Sequence, residues 1–100
     1  MSKKKVEISV ENTFLPLGSV VMLKGATTPL AIIGFAVVEQ NKDKIWDYMG
    51  VMYPVGYISP DKNLLFNRDQ IETVISEGFS DDNEKLFRLE LERNLLTMKR

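Results

Sequence analysis

The chain is 100 residues long, 44% apolar and 27% charged, with 13 basic and 14 acidic residues that leave a net charge of −1. That is the length of one domain with one modest core and the composition of a folding chain, and so even a charge balance removes nucleic acid from the expected partners. Cysteine and histidine are both absent, which excludes disulfides, thiolate and imidazole metal sites, cysteine nucleophiles and a histidine general base.

Residues 1–14 read as a basic lead, with VEISV (6–10) alternating well enough to add an edge strand. No apolar run reaches the roughly 18 residues of a membrane helix, and the basic start is followed by VEISVEN rather than an apolar core, so a cytoplasmic protein without membrane insertion is expected. The run LPLGSVVMLKG (15–25) predicts a strand over Ser19 to Lys24, closed by Gly25. After the turn signal GATTP (25–29), LAIIGFAVVEQ (30–40) has apolar residues on both parities, with Gly34 marking a bend or bulge. The polar loop NKDK (41–44) leads into IWDYMGVMY (45–53), which is again apolar on both faces apart from Asp47. One face of that strand fills the interior of a curled sheet; the other meets the rest of the chain or another protein.

PVGYISPDKN (54–63) is turn-rich and LLF (64–66) is a short return to the sheet; in IETVISEGF (71–79), Ile71, Val74 and Ile75 suit a helical face while the β-branched run suits a strand, and the favoured reading is a helical turn at Arg68–Gln70 and then a strand that Gly78 ends. Asp81 is an N-cap with Glu84 in the capping-box position, predicting a helix from Asp82 to about Met98. Phe87, Leu91, Leu95 and Met98 form one apolar stripe on it; Leu86, Leu89 and Leu96 form a second, narrower one. Either both stripes are core or the second docks a partner helix or a second copy. The fold class that follows is α+β, mainly β: a small curled antiparallel sheet or SH3-like half-barrel over residues 15–80, with a C-terminal amphipathic helix, 81–100, packed on it.

Little in the chain carries chemistry. The acidic cluster SDDNE (80–84) lacks the spacing of a calcium loop and is explained by a helix start. Asp47 has no second titratable neighbour in sequence to make it an acid–base pair, and a hydrogen-bonded strand residue is the simpler reading. The scattered glycines form no phosphate cradle, and no serine lies in a nucleophile elbow. No enzyme activity, metal or cofactor is expected. The aromatics Trp46, Tyr48, Tyr53 and Tyr57 either pack in the core or grip a partner.

LPLGSVVMLKG (15–25), IIG (32–34), DYMGVMYPVG (47–56), LFN (65–67) with Asp69, Ile71, Val74 and Ile75, and EGFSDDNE (77–84) together resemble a family of small Gram-positive proteins labelled as a domain of unknown function. The chain departs from that pattern at Val55, where an acidic residue stands in the family, and at Phe79, where Tyr is commoner. The resemblance implies occurrence with type VII secretion systems and a role as a chaperone or targeting adaptor for a secreted toxin, holding the toxin or its helical targeting segment. The residues expected to bind such a protein partner are Trp46, Tyr48, Tyr53, Val55, Leu86, Leu89 and Leu96, with a homodimer through the C-terminal helix as a further arrangement. The competing readings are a small barrel for a ligand or single-stranded nucleic acid, resting on the aromatic strand, and an immunity-type protein.

Overall fold

The structure, a computed structural model, describes residues 14–39 and 42–98, with side chains described through Leu95. The strand expected at 6–10 lies outside the described residues. Five strands, β1 (Val20–Leu23), β2 (Leu30–Val38), β3 (Ile45–Met52), β4 (Leu64–Phe66) and β5 (Ile71–Ser76), precede one helix, α1 (Asp82–Met98). All pairings are antiparallel and the sheet order is β4-β3-β2-β1-β5. Four strands thus follow one another as a meander, and β5 returns to pair with the free edge of β1.

The irregularities that curl this sheet sit where the sequence weakens it. The β2–β3 register slips between Ile32 and Gly34, so one extra residue of β2 is accommodated beside the expected bend. Ala36 adds a kink, with φ of 48°. The β1–β5 ladder shifts twice in four residues. Short 3₁₀ turns at Pro60–Lys62 and Arg68–Gln70 flank β4, the second where a helical turn is expected.

Side chains alternate across a strand, and cross-strand partners share a face. Tyr48 faces Phe35 on β2 and Phe66 on β4, and Gly50 faces Ile32. This inner face, with Val21 and Leu30, closes into one core together with Phe14, Leu15 and Leu95; Leu91 packs against its margin. The Phe14 ring meets Tyr48 edge-on at 5.3 Å, and Tyr48 stacks on Phe66 at the same distance. Phe14, at the end of the expected lead, is fully buried in this core.

α1 begins as expected with Asp81, whose Oδ1 accepts the Glu84 N–H at 2.9 Å. The reciprocal half of a capping box is replaced: the Glu84 carboxylate takes the Ser80 hydroxyl and pairs with Arg88 one turn on. Arg88 also donates to the Phe14 carbonyl at 2.7 Å, and Phe87 lies 5.9 Å from the Phe35 ring. The helix is held to the sheet by one apolar stripe and by these polar ties.

Candidate interaction surface

Asp47 is 3% exposed. Its Oδ2 accepts the Arg68 backbone N–H at 2.8 Å, with Arg68 Nε at 3.4 Å, and its own N–H donates to Asn67 Oδ1 at 2.9 Å. The same guanidinium donates to both oxygens of Glu92 on α1, at 3.2 and 3.1 Å, and lies 4.7 Å over the Phe14 ring. Burial draws the Arg68 pKa down, but the Glu92 hydrogen bonds and the charges of Glu92 and Asp47 outweigh it, so the pKa is raised. Asp47, Arg68 and Glu92 thus form an internal tie between β3, the 3₁₀ turn and α1. Sequence reading found no partner for Asp47 because Arg68 is 21 positions away and Glu92 further still.

Tyr48 is 1% exposed and its hydroxyl accepts the Leu15 N–H at 2.9 Å. It is a core residue and offers no surface to a partner, which corrects its place among the binding residues. Trp46 is half-buried. Its indole N–H donates to Glu39 Oε1 at 3.0 Å and Lys44 Nζ lies 4.1 Å over the ring, so the β2–β3 connection engages it from both sides. The Trp46 bond, reinforced by Lys42, lowers the Glu39 pKa. No open aromatic face runs along β3: Asp47 and Val51, on the parity opposite Tyr48, are buried as well.

The exposed aromatic surface begins where the strand ends. Tyr53 is 54% and Val55 63% exposed, and Tyr57, Ile58 and Leu64 are also exposed. A backbone bond from Gly56 N–H to the Met52 carbonyl at 2.8 Å and another from Tyr53 N–H to the Pro29 carbonyl at 3.0 Å tie the start of this segment to the sheet, and the Tyr53–Pro54 peptide is cis. Its far end is tied by Asn63 Nδ2 to Met49 Sδ at 3.7 Å. Five large apolar side chains thus stand out from one well-anchored segment. Sequence reading located Tyr53, Val55 and Tyr57, but not Ile58 or Leu64. The signal available for Ile58 was an apolar residue among turn formers, with no strand to bury it.

On α1 the two stripes divide. Leu95 is buried and Leu91 half-buried, whereas Leu86 and Leu89 are 62% and 55% exposed. The Leu96 side chain lies outside the described residues. The second stripe is therefore not core at Leu86 and Leu89, and the two surfaces expected to bind, the end of β3 and the outer helix face, rest on different elements.

Among the described residues no group of His, Cys, Asp or Glu is arranged to hold a metal ion. No helix among them is long and apolar enough to cross a membrane. Comparison with curated proteins and with solved structures returns no match. A family model described as a domain of unknown function, DUF4176, matches residues 14–87, from the Phe14 that closes the core to the Phe87 that meets the sheet, and the chain belongs to that family.

Proposed function

We propose that this protein is a non-enzymatic interaction module, a cytoplasmic chaperone or targeting adaptor that holds a type VII secreted toxin, or its helical targeting segment, before export. The observation that carries the proposal is the exposed apolar segment of Tyr53, Val55, Tyr57, Ile58 and Leu64. Exposed aromatic and aliphatic side chains of that kind, with the exposed charges of Asp61 and Lys62 between Ile58 and Leu64, match the apolar centre and polar rim of a protein interface.

A nucleic-acid barrel would set cations beside those aromatics. Here the one cation within the segment, Lys62, stands next to Asp61, Lys42 pairs with Glu39, and Arg68 is held between Asp47 and Glu92. The secretion context and the cargo come from the family resemblance; the segment supplies the means of binding. Replacing Tyr53 and Tyr57 together by Ser is expected to leave the fold intact and to weaken cargo binding at least about tenfold, read by calorimetric titration. Undiminished affinity in the folded double variant would rule out this segment as the binding surface.

A further inference from the structure

We propose that the segment at 3–10, which lies outside the described residues, runs as a strand along the outer edge of β5. β4 and β5 are the two edges of the sheet. β4 offers three residues and β5 six, so β5 is the edge long enough for the alternating stretch VEISV (6–10). The outward N–H and C=O groups of β5 face no partner strand among the described residues.

The core is open along this edge. Val74 pairs with the fully buried Val21, so the two share the core-facing side of the sheet, yet Val74 is 37% exposed. An added strand with Val6, Ile8 and Val10 on one face covers that margin and leaves Glu7 and Ser9 toward water.

Charge selects the occupant. From position 69 to 84 the chain carries Asp69, Glu72, Glu77, Asp81, Asp82 and Glu84 and no Lys or Arg. Glu84 pairs with Arg88, and the other five are exposed and in no ion pair among the described residues. Lys3, Lys4 and Lys5, immediately before VEISV, are the one run of three basic residues in the chain. Glu72 and Glu77 stand at the two ends of β5, so these lysines meet a carboxylate whichever way the added strand runs.

The connection is short. Val10 is four residues before Phe14, a reach of up to about 14 Å. The Phe14 carbonyl and the Ser80 hydroxyl both accept from the Arg88 guanidinium, at 2.7 and 3.4 Å, and the Leu17 carbonyl lies against Gly78. The chain therefore enters the domain beside the stretch that leaves β5. A segment tethered there is held at high local concentration against the edge, as a foreign strand is not. This edge is apart from the exposed segment at 53–64, so either assignment can fail while the other stands.

The chain has no cysteine, so a nitroxide on Ser9→Cys in the full chain tests the proposal through the amide signals it broadens in NMR. Signals of 72–76 are expected to be lost and those of β4 kept. Changing Lys3, Lys4 and Lys5 together to Glu is expected to bring the β5 signals back, and adding Glu72→Lys with Glu77→Lys to remove them again. Circular dichroism establishes that each variant keeps its fold; Ile8→Asp, which sets a charge on the apolar face, is expected to bring the signals back should the lysine variant fail to fold. Loss centred on β4 or α1, or no loss at all, overturns the proposal. Spin-labelled chain is also mixed with isotope-enriched chain that has no spin label, and β5 signals lost in that mixture would give the edge to a second copy and overturn it equally.

Discussion

Arg68 meets Glu92 through two parallel N–H···O bonds of 3.2 and 3.1 Å, and this pair joins the turn before β5 to the middle of the only helix among the described residues. Its other neighbour, Asp47, is nearly sealed from water. Removing one member of a largely buried ion pair leaves the other uncompensated, which costs more than the pair contributes. Arg68→Ala is therefore expected to destabilise the fold by about 3 kcal/mol, read as a lower urea midpoint. Glu92→Gln, which keeps one oxygen as acceptor and sits in a wetter position, is expected to cost about 1 kcal/mol.

Two glycines are required for different reasons, and the difference is measurable. A Cβ on Gly78 would fall 2.0 Å from the Leu17 carbonyl oxygen, in a corner where the Gly78 N–H donates to Ser19 Oγ and that hydroxyl donates to the Pro16 carbonyl. Backbone must move to admit it, so Gly78→Ala is expected to cost about 3 kcal/mol. Gly25 has open space around it but a φ of +78°. Gly25→Ala is accordingly expected to cost about 1 kcal/mol, the difference in left-handed backbone alone. Thermal or urea unfolding of the two variants compares them directly.

Burial raises the Tyr48 pKa above the ordinary 10.0, with the Leu15 N–H working against the rise. Folding thus favours the neutral phenol. That contribution is whole below the unfolded-state value of about 10 and is lost as pH climbs through the raised folded-state value. Above about pH 10 the wild type is expected to lose stability more steeply than Tyr48→Phe, which has no proton to release. Urea midpoints of both proteins across alkaline pH check the difference in slope.

The strands at 30–38 and 45–52, the short β4, the 3₁₀ turn at Arg68–Gln70 and the helix bounds were legible because each is marked by local pattern: β-branched runs between turn formers, or a cap followed by unbroken helical spacing. The curl was legible from Gly34. What local pattern could not convey was which residues closed over the sheet. Strand 45–53 reads as apolar on both faces, and that is equally the signature of a sticky face and of a strand covered on both sides. The fold chose the second for Tyr48, because Phe14 and the Leu15 N–H arrive from more than thirty positions upstream. For Asp47 the hydrogen-bonded strand reading holds, but its charge partner was out of view for the same reason, being supplied by a distant turn. The helix stripes went the other way: spacing alone distinguished them, and the structure only decided which one the sheet took.

Val55 and Phe79 are both highly exposed. Exchange of such residues moves stability little, within about 0.5 kcal/mol. Val55→Glu is expected to leave the unfolding midpoint unchanged. On the proposed function it also places a charge at the centre of an apolar contact, and is expected to weaken cargo binding at least about tenfold. The pairing of unchanged stability with lost binding is the informative outcome, measured on one preparation by urea titration and calorimetry.

The most direct test of the proposed role is the mass of the complex. The protein is co-expressed with a type VII secreted toxin of the kind the proposal names, and the material eluting from size exclusion is measured by light scattering. The adaptor reading expects a stable stoichiometric complex that is lost when Tyr53 and Tyr57 are both changed to Ser. Elution of the chain apart from that protein, at its own 11.4 kDa or twice it, would contradict the reading.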